Sequence, residues 1–166
     1  MRARNSILVV LVALLLSSAW AQSKPAGILT AEELKVIAPA GFFYRGRSAN
    51  TQLRNTAGVR TQGDKYVLAG LVDTAGYASN IAEKYQGFLI TEIKIEIEGS
   101  ALAPGEYGFG FVGDKFVITD VGANDVLSVS SKRDENLKRA MPLKIVKEGD
   151  AYRLYAGKKY VTLELE

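Results

Sequence analysis

From Glu92 to Glu98 the chain alternates without a break: Ile93, Ile95 and Ile97 stand between Glu92, Lys94, Glu96 and Glu98. A helix would put Ile95 on the side opposite Ile93 and Ile97, whereas a strand gathers all three on one face. The segment therefore predicts a strand with one dry face and one wet face. Val161, Leu163 and Leu165, set against Thr162, Glu164 and Glu166, repeat the pattern at the other end of the chain. Strands of this kind need a second layer to cover their dry faces.

The rest of the chain supplies candidates for that layer. β-favouring runs at Phe42 to Ala49, Tyr66 to Asp73, Glu106 to Val112, Lys115 to Asp120, Val126 to Ser131, Leu143 to Lys147 and Ala151 to Ala156 are separated by turn residues. Gly113-Asp114, Glu148-Gly149-Asp150 and Gly157-Lys158 are expected to close hairpins. Two short helices are expected. The first starts on a capping box, with Thr30 as N-cap and Glu33 reaching back, and ends near Ala38 ahead of Pro39. The second runs from Ser79, as N-cap, through Gln86, with Gly87 at C′. The expected fold is mainly β: a small antiparallel β-barrel or a two-sheet β-sandwich with one or two short peripheral helices.

Before this domain the sequence changes character. Met1-Arg2-Ala3-Arg4 is followed by an apolar run from Ile7 to Leu16 and by Ser17 to Ala21, which ends in Ala-x-Ala. This is the three-part pattern of a secretory signal peptide, with cleavage expected after Ala21. The run is shorter than the roughly 20 residues a membrane span takes, so no stable membrane anchor is expected after cleavage. No cysteine follows to carry a lipid, and Arg2 and Arg4 are not adjacent, which leaves the general secretory route. The expected organisation is a signal peptide over residues 1–21, a lead-in with a short helix over 22–40 and one antiparallel β domain over 41–166. The expected location is periplasmic or extracellular.

Of 21 basic residues two leave with the signal peptide, so 19 face 18 acidic ones and the mature chain is close to neutral. It lacks the electrostatic footprint of a nucleic-acid binder. The densest basic stretch, Lys132 to Arg139, contains Asp134 and Glu135 and reads as a solvated loop or short helix. Gly63-Asp64-Lys65-Tyr66-Val67-Leu68 resembles Gly113-Asp114-Lys115-Phe116-Val117-Ile118, an echo that recurrent hairpin chemistry accounts for.

With no histidine and no cysteine, the chain has neither a Ser-His-Asp or Cys-His nucleophile nor an ordinary zinc site. No cofactor and no metal are expected. Gly108-Phe109-Gly110-Phe111-Val112-Gly113 matches G-x-G-x-x-G in letters, but its glycines lie inside a strand rather than at a strand-to-helix turn. They read as a small face against which a neighbouring ring or backbone packs. Leu71-Val72-Asp73-Thr74-Ala75-Gly76 and Ile118-Thr119-Asp120-Val121-Gly122 approach the Asp-Thr/Ser-Gly signature of aspartic proteases, and both depart from it, by the inserted Ala75 and by Val121. Strands ending in Asp-led turns explain both.

The most elaborate non-strand stretch is Asp73 to Gly87, where Tyr77, Glu83, Lys84 and Tyr85 are candidates for the mouth of a site or for a helical lid over the core. Tyr107, Phe109 and Phe111 share one strand face, as core or as the lining of an apolar cavity. The only tryptophan, Trp20, belongs to the signal peptide. The leading expectation is a non-catalytic exported domain. Its small apolar ligand would be met by Tyr77, Lys84, Tyr85, Tyr107, Phe109 and Phe111; alternatively it binds a protein partner at an open strand edge. The rivals are a hydrolase using the carboxylates of Asp73, Glu83 and Asp120, and a purely structural exported protein.

Overall fold

The computed structural model describes residues 24–166; the expected signal peptide lies outside them. The two alternating segments behave as their period requires. In β6 (Ile95–Ile97) both isoleucines are fully buried around a half-exposed Glu96, and in β14 (Lys159–Leu165) Val161 and Leu163 are fully buried. The two strands are hydrogen-bonded neighbours, with Leu163 opposite Ile97 and Leu165 opposite Ile95. Their dry faces therefore merge into one apolar surface.

That surface belongs to the smaller of two antiparallel sheets. Its path is β12 (Met141–Glu148), β13 (Ala151–Gly157), β14, β6 and β7 (Ser100–Leu102), with β11 (Lys132–Arg133) also on β14. The larger sheet runs β1 (Gly27–Ile28), β3 (Arg47–Arg60), β4 (Tyr66–Val72), β5 (Gly87–Thr91), β8 (Gly105–Val112), β9 (Lys115–Thr119) and β10 (Asp125–Ser130). β2 (Gly41–Tyr44) pairs with the first part of β3. The sheets do not close into a barrel, so of the two expected architectures the sandwich is the one formed. Between them lies a core of Val59, Val67, Leu89, Phe109, Phe116 and Ile118 from one side and Ile95, Ile97, Leu143, Ile145, Leu154, Val161 and Leu163 from the other. Full burial of each large side chain removes about 1.5–3 kcal/mol worth of apolar surface from water.

The larger sheet is covered on its outer face too. Leu68, Val72 and Phe88 pack there against Leu29, Leu34, Phe42, Tyr44, Ala49 and Tyr85 in a second core. Burial on both faces explains why β4 and β5 read as unbroken apolar runs rather than alternating ones. The cover consists of α1 (Ala31–Ile37), the β2–β3 hairpin and α2 (Ser79–Lys84). β3 serves both layers: Gly41 to Tyr44 pair with its first residues, and after an irregularity between Thr51 and Thr56 its remainder pairs with β4.

Three local expectations change in the structure. Phe42 to Ala49 is not one strand but a hairpin, turned at Arg45 and Gly46, whose φ values of 47° and 76° fit the two-residue turns that match strand twist. Ala78, not Ser79, is the N-cap of α2, and it makes no side-chain bond. Gly87 does not end that helix. It opens β5, where a Cβ would lie 2.4 Å from the carbonyl oxygen of Gly70. The three hairpin turns of the sequence reading all form, and so does the capping box of α1, with Glu33 N–H donating to Thr30 Oγ1 and Thr30 N–H to Glu33 Oε2.

Glu33 also fastens α1 to the sheet. Arg60 Nη2, from a side chain only 6% exposed, donates to Glu33 Oε1 at 2.8 Å. The Thr30 amide and the Arg60 guanidinium together hold the Glu33 carboxyl down to about 2, against an ordinary 4.5. A carboxylate lowered in this way contributes stability that is complete above pH 4.5 and is lost as the pH falls towards 2. Glu33→Gln keeps the capping box, since Gln also serves at that position, and removes the charge. It is expected to lower stability at neutral pH and to flatten the acid limb between pH 4.5 and 2; urea unfolding repeated across that range is the check, and limbs that run parallel would remove the ion pair from the account.

Candidate functional site

β8 divides the candidate residues between two faces. Tyr107, Phe109 and Phe111 point inward, where Phe116 meets Phe109 at 5.4 Å and Phe111 at 4.8 Å between ring centroids. Phe109 is fully buried, Phe111 and Tyr107 are partly buried, and the Tyr107 hydroxyl donates to the Ala103 carbonyl at 3.0 Å. These three side chains fill the space between the sheets. Tyr77, Lys84 and Tyr85 lie on the other side of the larger sheet, so the structure does not bring the six ligand candidates together.

The intervening glycines explain the outer arrangement. A Cβ on Gly108 would meet the Tyr44 ring at 2.6 Å and Thr119 Oγ1 at 2.9 Å; on Gly110 it would meet the carbonyl oxygens of Glu83 and Lys84, both at 2.7 Å. The G-x-G pair is thus the flat patch on which a tyrosine and the last turn of α2 rest, in keeping with the packing role read from its place in a strand. Above it Tyr44 stacks on Tyr85 at 3.8 Å, and Tyr77 meets Tyr85 edge-on at 5.3 Å. Tyr44 shares a 2.7 Å hydrogen bond with Thr119 Oγ1, and Tyr77 donates to the carbonyls of Tyr44 and Arg47. The Tyr85 hydroxyl is buried and has no protein partner among the described residues. Burial pushes all three phenols above their ordinary range, so they are neutral at any physiological pH.

Around this cluster lies a half-open cleft of about 300 Å³ lined by Tyr44, Arg45, Asn80, Ile81, Lys84 and Ala123. Lys84 bridges to Asp125 at 2.7 Å and ties α2 to β10. The carboxylates proposed for catalysis are largely occupied. Asp73 Oδ1 accepts from the Ala75 amide, and Asp120 accepts from the side chain and amide of Asn124 and from the Gly122 amide, bonds that hold its carboxyl below the ordinary range. Both acids close their own turns, the role their Asp-led sequences suggest. Glu83 is exposed on α2. Among the described residues no group of three or more acidic side chains could hold a metal ion, and no helix is long and apolar enough to cross a membrane.

A second concavity was not anticipated. Between α1 and the irregular stretch of β3 runs a groove of about 450 Å³, with Ala31, Leu34, Leu53 and Thr56 as walls and Lys35 and Arg54 at its rim. Leu53 is 46% exposed there, and Phe43 on the adjoining hairpin is 62% exposed. The signal that marks this region is a charge window rather than a motif. Between Glu33 and Asp64 the chain carries Lys35, Arg45, Arg47, Arg54 and Arg60 and no acidic residue. No dense basic run marks it, because the cations are spread along thirty residues. In the fold Lys35 and Arg54 line this groove, Arg45 lines the cleft beside Tyr44, and Arg60 is buried against Glu33.

Their partners differ. Arg60 takes Glu33, Lys35 takes Glu32, and Arg47 donates to the Gly76 carbonyl while lying 5.7 Å from the Tyr77 ring centre. Arg45 and Arg54 make no ion pair among the described residues. Comparison of the chain with family models, with curated proteins and with solved structures finds no match.

Proposed function

We propose that this chain is an exported, non-catalytic binding domain whose ligand is a small amphiphile, an apolar body with an anionic head, held in the groove between α1 and β3. The observation that carries the reading is the pairing of an apolar wall, exposed Leu53 beside buried Leu34, with Arg54, a cation that no carboxylate of the described residues neutralises. Ligand sites are concave, mostly apolar and supplied with a few polar groups that fix orientation. The space between the sheets offers no comparable room, because Phe109, Phe116, Leu154 and Leu163 are packed there without exposure. The apolar ligand anticipated for the inner aromatics therefore moves to the outer layer. Export rests on the signal-peptide pattern of residues 1–21.

Dodecanoate, kept below its micelle concentration, is the probe, and titration calorimetry on the purified protein is the measurement. Binding is expected with an enthalpy that becomes more negative on warming, as apolar burial requires. Leu53→Glu is expected to weaken it at least tenfold. Arg54→Gln is expected to weaken dodecanoate about tenfold and dodecanol hardly at all, since a charge-assisted hydrogen bond is worth roughly 1.5–3 kcal/mol. Absence of binding, or binding that both substitutions leave intact, would overturn the reading.

A further inference from the structure

β2 is a short edge strand that carries neither charge nor proline. Its one strand neighbour among the described residues is β3, with Tyr44 opposite Arg47, Phe43 opposite Ser48 and Phe42 opposite Ala49. The two-residue turn makes Tyr44 and Phe42 the hydrogen-bonded positions, so the N–H and C=O of Gly41 and Phe43 point away from β3. Natural edges are blunted by lysine, proline, bulges or extreme shortness. β12, an edge of the other sheet, follows the rule with Pro142, Lys144 and Lys147. Gly41-Phe42-Phe43-Tyr44 is short, at four residues, but carries no lysine, proline or bulge, and its one outward side chain, Phe43, is the most exposed aromatic among the described residues. Just past its end the Arg45 N–H takes the carbonyl of Val121, a turn residue of the β9–β10 loop, at 2.8 Å, so an outward amide on this side of the hairpin already takes a backbone partner.

The charge of the surroundings chooses the occupant. The hairpin lies in the middle of the acid-free stretch from Leu34 to Gly63, and Arg45, at its tip, is unpaired among the described residues. Pairing β2 with the β2 of a second copy would bring the same cations, Arg45 and Arg47, to the shared edge. A lipid surface would leave the free backbone groups of Gly41 and Phe43 without partners, whereas a polypeptide supplies both the donors and the acceptors. We propose that the edge of β2 receives an extended, acidic segment of a partner protein as an added antiparallel or parallel strand, with Phe43 as an apolar contact and Arg45 as the charge partner. This interface is distinct from the α1–β3 groove and stands whether or not the groove binds an amphiphile.

The test uses the purified protein and two labelled octapeptides, one alternating Val and Glu and one alternating Val and Lys, followed by fluorescence anisotropy. The acidic peptide is expected to bind at least tenfold more tightly than the basic one and to weaken as salt rises from about 50 mM to about 500 mM. Phe43→Pro deletes the outward N–H without touching the ladder to β3 and is expected to reduce binding at least tenfold. Arg45→Asn creates Asn-Gly, the turn pair best suited to this hairpin; it keeps the fold and is expected to weaken the acidic peptide several-fold. Amide exchange at Gly41 and Phe43 is expected to slow when the acidic peptide is present. Equal binding of the two peptides, binding indifferent to Phe43→Pro, or unchanged exchange at both amides would overturn the proposal. So would failure of the acidic peptide combined with sedimentation on phosphatidylglycerol vesicles, which assigns the surface to lipid, or with a dimer that Phe43→Pro dissolves, which assigns it to self-assembly.

Discussion

Gly110→Ala is expected to lower the midpoint of thermal unfolding by about 10 °C, roughly twice as much as Gly113→Ala three residues further on. The two glycines belong to the same G-x-G-x-x-G string, and the contrast between them separates a packing role from a motif role. A Cβ at Gly110 would stand 2.7 Å from two backbone carbonyl oxygens, those of Glu83 and Lys84. Neither oxygen is the end of a flexible side chain, so relief requires α2 to lift from the sheet, taking the Lys84–Asp125 bridge and the Tyr85 ring with it. Overpacking of this kind costs typically 1–3 kcal/mol, and the double backbone clash places it at the upper end, about 3 kcal/mol. Gly113 has open space where its Cβ would be and a φ of 57° at the β8–β9 turn; alanine there meets only the left-handed strain of roughly 1–2 kcal/mol. Thermal unfolding of both variants by circular dichroism is the measurement. Equal shifts would mean that α2 yields easily and that Gly110 is not its seat.

The same pair of residues shows what was legible in the sequence. Placement of the glycines inside a strand was enough to set nucleotide binding aside and to expect a close neighbour, because strand periodicity and the absence of a following helix are local properties. The identity of that neighbour was not local: α2 reaches Gly110 only through the meander of the larger sheet. Ile93, Ile95 and Ile97 revealed their buried face for the same local reason. β3 did not reveal itself, since Arg47 to Arg60 carries polar residues through its first half, where it forms a flap, and small ones in its second, where it lies under two layers. A single strand with two environments has no single period. The long apolar runs of β4 and β5 left barrel and sandwich equally open, because burial on both faces hides which face meets the second sheet.

Site candidates divide along similar lines. Tyr77, Lys84 and Tyr85 come from one elaborate loop and lie on one side of the larger sheet, where only Lys84 lines the cleft, whereas Tyr107, Phe109 and Phe111 lie beyond the sheet. Asp73 and Asp120 advertised catalysis only through fragments of a signature, and their hydrogen bonds are those of turn residues. The α1–β3 groove left no motif, because its walls come from two segments separated by the whole β2 hairpin.

Tyr44→Ala is expected to destabilise the protein by about 4 kcal/mol, the largest single-residue effect in the outer layer, whereas Tyr85→Phe is expected to be neutral or to stabilise it by about 1 kcal/mol. The two rings are stacked at 3.8 Å and both are buried, so area alone would rank their hydroxyls equally. Partners decide otherwise. Tyr44 Oη and Thr119 Oγ1 satisfy each other at 2.7 Å, and truncation to alanine leaves a cavity above Gly108 together with a threonine whose remaining bond, to the Gly108 carbonyl, is 3.4 Å long. The Tyr85 hydroxyl has desolvation to bear and no protein acceptor to offset it, so its removal relieves a cost. Urea titration distinguishes two ways in which Tyr44→Ala can act. If the whole domain is weakened, the midpoint falls and the slope with denaturant is unchanged; if the β2–β3 flap detaches first, the slope itself falls because less surface is exposed in the main transition. The second result would make the flap a separately yielding unit, and a strand edge carried on such a unit is one that a partner can both order and be released by.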